Sequence, residues 1–116
     1  CKVNAAIAAQ ILIDKFHVTH IIVTGVAGAI DNALKIGDTV ISTEIAYHDV
    51  DEGILTEYHP WMESVYFKTD STLLELSREV IEKNQFTQNI YFGKIVTGEA
   101  FISESGRTDI ISKYNP

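Results

Sequence analysis

Cysteine, proline, methionine and basic residues are all scarce in this sequence, and each scarcity excludes something. With 1 cysteine in 116 residues there is no internal disulfide framework and no cysteine-based zinc site. With 2 prolines and 46% hydrophobic content, the composition is not that of a disordered segment. Lys and Arg total 9 against 16 for Asp and Glu, a formal charge of −7. Sequence-independent nucleic-acid binding needs clustered cations to neutralise phosphates, and that balance opposes it. No apolar run reaches the roughly 18–20 residues that a membrane span needs. The only methionine is Met62, so the sequence starts at Cys1 without an initiator and stops at Asn115-Pro116, directly after a helical pattern. Length alone suggests one modest domain, but both ends are expected to be cut from a longer chain.

What is present reads as alternating helices and strands. Residues 2–16, KVNAAIAAQILIDKF, carry Val3, Ala6, Ile7, Ile11 and Leu12 at helical spacing. Residues 20–26, HIIVTGV, are β-branched and almost wholly apolar, which predicts a strand buried on both faces. Lys35-Ile36-Gly37-Asp38 predicts a turn into a second strand over 39–46. Residues 47–69 show no sustained period and read as one long excursion. Thr72 and Glu75 suggest a capping box for a helix over 73–84. A third strand over 89–97 and a short helix over 107–114 complete the order. This is an α/β pattern, and sites in such sheets lie beyond the carboxyl ends of strands.

Three segments have the residue types to carry chemistry. In TGVAGAID, from Thr24, glycines after an apolar run let a ligand approach the backbone and leave amide donors free. The same glycines suit a strand-to-helix turn that needs them for packing. The segment is neither a GxGxxG fingerprint nor a phosphate-binding loop with its lysine. In TGEAFIS, from Thr97, Phe101 offers an aromatic face beside backbone donors and acceptors, as a planar heterocycle requires; it reads equally as a core residue. In YHDVDE, His48, Asp49, Asp51 and Glu52, with His59 beyond, match no common metal-ligand spacing and read as turn or subunit-contact residues. Cys1-Lys2 leads straight into a helix, without the spacer of a lipoprotein terminus. The serines form no nucleophile elbow.

Taken in order, KVNAAIAAQ, IIVTGVAGAI, IGDTVIS, YHDVD and TGEAFIS resemble the middle of a 5′-methylthioadenosine/S-adenosylhomocysteine nucleosidase. More broadly, they resemble the purine nucleoside phosphorylase superfamily. The resemblance covers essentially the whole chain. It implies a three-layer α/β/α sandwich around a mixed, partly closed sheet, incomplete here, with residues 1–116 the central part of one domain. It implies a homodimer that hydrolyses the adenine–ribose bond of a small adenine nucleoside and uses no metal or organic cofactor. By position, Val26, Ala27 and Gly28 would line the ribose and water side. Phe101 would stack on adenine, and Ile102 would meet its edge through the backbone. Leu55 would lie in a loop reaching the partner subunit's pocket near the 5′ substituent. His48 and Asp49 would belong to a family signature rather than a catalytic pair.

The departures are specific. Many relatives carry a serine where this chain has Val26, and often an aspartate where Glu99 stands. The segment ILTEYHPWMESVYF departs from the usual aromatic, glycine-rich loop. The family's first-strand glutamate would precede Cys1, and its Met-Glu segment and catalytic aspartate would follow Pro116, so this chain holds none of the catalytic carboxylates. Glu44, Glu99 and Glu104 do not replace them, and these residues alone are expected to be inactive. A phosphorylase needs cationic anchors for phosphate. The only arginines, Arg78 and Arg107, are not adjacent in sequence to TGVAGAID, which favours water over phosphate. A non-catalytic homologue that binds adenine nucleosides and a generic α/β interaction domain are the alternatives of other classes. An unpaired cysteine and no visible signal or membrane segment suggest a cytoplasmic protein.

Overall fold

The computed structural model describes residues 2–116. The chain runs α1 (Lys2–Phe16), β1 (Thr39–Tyr47), α2 (Glu52–Tyr58), β2 (Tyr66–Lys68), α3 (Ser71–Lys83), β3 (Ile90–Thr97) and α4 (Glu104–Tyr114). The sheet has 3 strands in the order β2-β1-β3. β1 lies antiparallel to β2 and parallel to β3, so the sheet is mixed, as the α/β reading requires. Three strands are too few to curve round on themselves, and the sheet is open in this chain.

The parallel register runs from Thr39 opposite Ile90 to Tyr47 opposite Thr97, with one irregularity between Ser42 and Glu44. Thr43 is the extra residue. Its carbonyl turns to accept the Thr69 N–H at 3.1 Å, while the Ser42 hydroxyl donates to the Glu44 carbonyl at 3.0 Å. The bulge keeps both ends of the pair in register. At the entrance to β1, Lys35 N–H donates to Asp38 Oδ2 at 2.9 Å, and Gly37 sits at φ 96°, which a side chain would resist.

The small core sits at the carboxyl end of the sheet. Ala46, Ile110 and Tyr114 are buried together, with Ile30, Tyr66, Val96 and Ile102 packed against them. Tyr114 seals the cluster by donating its hydroxyl to the Tyr47 carbonyl at 2.9 Å, and its ring meets Tyr66 edge-on at 6.5 Å. Thus α4 lies over the ends of β1 and β3.

Several expectations are corrected. Residues 20–26 form no strand, and Val23 is 90% exposed rather than buried. Apolar β-branched residues favour extended backbone, but a strand exists only when a neighbour completes its hydrogen bonds. β1 is already paired on both edges, and neither β2 nor β3 pairs with this segment. The excursion over 47–69 contains α2 and β2. Asp51 starts α2 by accepting the Gly53 N–H at 2.9 Å. The cap of α3 is Asp70, not Thr72. Its carboxylate accepts the Leu73 N–H at 2.9 Å and faces the positive end of the helix dipole. Helix α4 begins at Glu104, ahead of the expected 107.

Helix α1 forms where the spacing predicts, yet none of its residues is buried. Val3, Ile7, Ile11, Leu12, Ile13 and Phe16 all remain substantially exposed, as do Ile22, Val23 and Val26. A helix apolar on most sides is built to be covered. The radius of gyration, 15.7 Å, exceeds the about 13 Å of a tightly packed chain of this length. The 116 residues alone are therefore expected to self-associate as concentration rises, because water-exposed apolar patches of this size seek partners. Sedimentation should show this, and Ile7→Lys with Phe16→Lys should reduce it. A wild-type monomer with a sharp, high-temperature unfolding transition would contradict it.

Candidate functional site

The carboxyl ends of the parallel pair bring two sequence-distant loops together. Beyond Tyr47 the chain continues as His48-Asp49, and beyond Thr97 as Gly98-Glu99. His48 N–H donates to the Thr97 carbonyl at 3.0 Å, extending the ladder by one bond. Asp49 Oδ2 then accepts the Glu99 N–H at 2.6 Å across 50 residues. The His48 ring lies so close over Gly98 that a Cβ there would overlap its Nε2 and Cε1. An alanine at position 98 would therefore displace the His48 ring and the Asp49 carboxylate from their present positions.

Lys2, in the first turn of α1, closes this brace. Its ammonium lies 3.3 Å from Glu99 Oε1 and 3.8 Å from Asp49 Oδ1, and 4.8 Å above the Tyr47 ring. The Asp49 carboxyl titrates below its ordinary range, chiefly because the Glu99 N–H holds its charged form and secondarily because Lys2 is near.

From this brace the TGEAFIS loop projects. Phe101 is fully exposed at its tip, so it is not a core phenylalanine in this chain. Ile102, next to it, packs on the Ala46–Ile110–Tyr114 cluster. The glycine loop ends on the same cluster through Ile30. Val26, Ala27 and Gly28 are exposed, and a Cβ at Gly25 or Gly28 would meet nothing within 4 Å. Here, then, the glycines are not demanded by packing, in contrast to Gly98. Leu55 is buried on helix α2 rather than carried on a loop. The two loops are thus rooted together while their tips stand free. An apolar hollow of about 190 Å³, lined by Ile45, Ala46, Tyr47, Phe67 and Thr97, includes none of the expected site residues.

Arg107 corrects one inference from sequence spacing. Though remote in sequence from TGVAGAID, its guanidinium lies against that loop. Nε and Nη2 donate to the Ile30 carbonyl at 2.9 and 2.7 Å, and Nη2 also donates to Asn32 Oδ1 at 2.6 Å. The contact spans 77 residues, and nothing in the local sequence announces it.

The three carboxylates of YHDVDE are individually committed. Asp49 holds Glu99, Asp51 caps α2, and Glu52 pairs with Lys113 at 3.3 Å. His59 stacks edge-on with Trp61 at 5.1 Å. Among the described residues, no cluster of three or more His, Cys, Asp or Glu side chains is arranged to hold a metal. Elsewhere, Glu44 pairs with Lys94, and Glu104 with Arg107.

The family model described as "Phosphorylase superfamily" matches residues 1–113. The chain is 42% identical over 118 aligned positions to a 5′-methylthioadenosine/S-adenosylhomocysteine nucleosidase of Exiguobacterium, covering 98% of this chain and 50% of the relative. A protein of the same name from Oceanobacillus iheyensis is 40% identical, with 99% and 50% covered. The crystal structure of the Colwellia psychrerythraea nucleosidase in complex with adenine superposes with a TM-score of 0.78 and 34% identity, covering 96% of this chain and 47% of that one. The chain thus spans about half the length of the curated relatives it matches.

The brace has a pH signature. Because the folded-state pKa of Asp49 is depressed, its contribution is present above the unfolded value, about 3.9, and is lost as pH falls through the lower folded value. Asp49→Asn should cost about 1 kcal/mol at neutral pH, and the difference from wild type should shrink in acid. Urea unfolding at several pH values measures this; a difference independent of pH would show that the carboxylate charge contributes nothing.

Proposed function

Because this chain belongs to the phosphorylase superfamily, we propose that its residues serve a nucleosidase of 5′-methylthioadenosine and S-adenosylhomocysteine, contributing the nucleoside-binding loops as the central part of one domain. The reaction hydrolyses the N-glycosidic bond to adenine and a thioribose product. One observation carries the reading. Phe101 stands wholly exposed on a loop tied at its base to the carboxyl end of the parallel pair, where it offers a free aromatic face.

In this reading Phe101 stacks on adenine and the Ile102 backbone meets its edge. Val26, Ala27 and Gly28 line the ribose and the attacking water, where open space lies around the glycine. Leu55 belongs to the element that approaches the partner subunit's pocket near the 5′ substituent, in a cytoplasmic homodimer. Breaking the bond builds oxocarbenium character on the sugar, so adenine must be protonated as it leaves and water must be activated. Both tasks need carboxyl groups that this chain does not supply: Glu44, Glu99 and Glu104 are each held against a cation. Hydrolysis is favoured over phosphorolysis, because Arg107 already spends its fork on Ile30 and Asn32 and offers phosphate no free anchor.

The test is a chimera in which these 116 residues replace the matching half of the Exiguobacterium nucleosidase. It should release adenine from methylthioadenosine without phosphate, while the 116 residues alone release none above background. A folded but inactive chimera, or one that needs phosphate and yields 5-methylthioribose-1-phosphate, would overturn the reading. In the active chimera, Phe101→Ala should raise KM about tenfold, since a base–aromatic stack contributes roughly 1–3 kcal/mol. An unchanged KM would remove Phe101 from the site.

A further inference from the structure

We infer that Arg107 is a positioning residue that sets the spacing between the glycine loop and the Phe101 loop, an inference that rests on the proposed nucleoside site. Within these 116 residues, the glycine loop belongs to a stretch with few other long-range polar contacts. Among the described residues, every other hydrogen bond made by residues 18–37 joins partners no more than three positions apart, as in Thr19–His20, Asp31–Ala33 and Lys35–Asp38. No strand ladder ties this stretch to the sheet. The three bonds from Arg107 to Ile30 and Asn32 are its long-range polar tether.

The tether is placed where it controls both loops. Ile30 is two residues beyond Gly28. Arg107 stands in the first turn of α4, directly after the loop that carries Phe101 and Ile102. Ile30 and Ile102 pack on the same apolar cluster, which sets their separation but leaves the glycine loop free to pivot about Ile30. A planar guanidinium that places two donors on one carbonyl and a third contact on Asn32 fixes that angle as well. The Arg107 side chain is only 24% exposed, and Glu104 Oε1, 3.7 Å from Nη1, balances its charge. A lysine would keep the charge but could not reproduce the fork.

Two measurements test this. In the folded chimera with every native cysteine replaced by serine, spin labels at Ala27→Cys and Ala100→Cys report the distance between the loops. A narrow distribution is expected, broadening at least twofold in width with Arg107→Lys. It should also broaden with Asn32→Ala, which removes one acceptor and leaves α4 untouched. Circular dichroism checks that helix content is retained. In the active chimera with its own loops, Arg107→Lys should raise KM for methylthioadenosine at least tenfold while kcat changes less than threefold. A distribution as narrow in the folded variants as in the parent, or an unchanged KM despite broadening, would overturn the inference. If the chimera itself is inactive, the proposed function fails, while the distance measurement still decides whether Arg107 sets the spacing.

Discussion

The parallel pairing of β1 with β3 is the constraint on which the rest of this chain depends. Its register brings Tyr47 opposite Thr97, so the residues that follow each strand emerge side by side. A slip of one residue would reverse the faces of one strand and carry Asp49 away from the Glu99 amide. The bulge at Thr43 absorbs the one-residue difference in strand length, so the ladder still closes at the end where the loops begin. From that closure follow the His48–Thr97 bond, the Asp49–Glu99 bond and the need for glycine at position 98.

A second layer of order comes from α4. Its residues Ile110 and Tyr114 are two of the four buried hydrophobic residues, and the Tyr114 hydroxyl returns to the last carbonyl of β1. The helix therefore packs on the loop-bearing end of the sheet. From the same helix, Arg107 reaches the glycine loop. One short helix thus roots two loops that are more than 70 residues apart in sequence. Rigid roots with free tips suit a ligand site, since the base of each loop is held while the contact residues remain open to solvent.

The apolar surface left uncovered has the same origin. Helix α1 and the segment after it carry residues suited to an interior, but no strand pairs with that segment and these residues stay exposed. Lys2 ties the start of α1 to the Asp49–Glu99 brace, an exposed ionic contact that orients the helix without burying its face.

Local physics made much of this legible in advance. The α1 boundaries, the Gly37 turn, the two long strands and the α/β class follow from periodicity and turn chemistry, which act over a few residues. The order of five short segments carried the family and pointed to Phe101 before any contact was known. Residues 20–26 misled, because β-branched sequence encodes an extended backbone and not the neighbour that makes it a strand. Thr72 misled because Asp70, two residues earlier, accepts the Leu73 N–H with its carboxylate. Tertiary structure alone decided that Gly98 serves packing while Gly28 faces open space, that Leu55 is buried on a helix, and that Arg107 grips Ile30. Those outcomes depend on register and docking between elements dozens of residues apart, which no local pattern specifies.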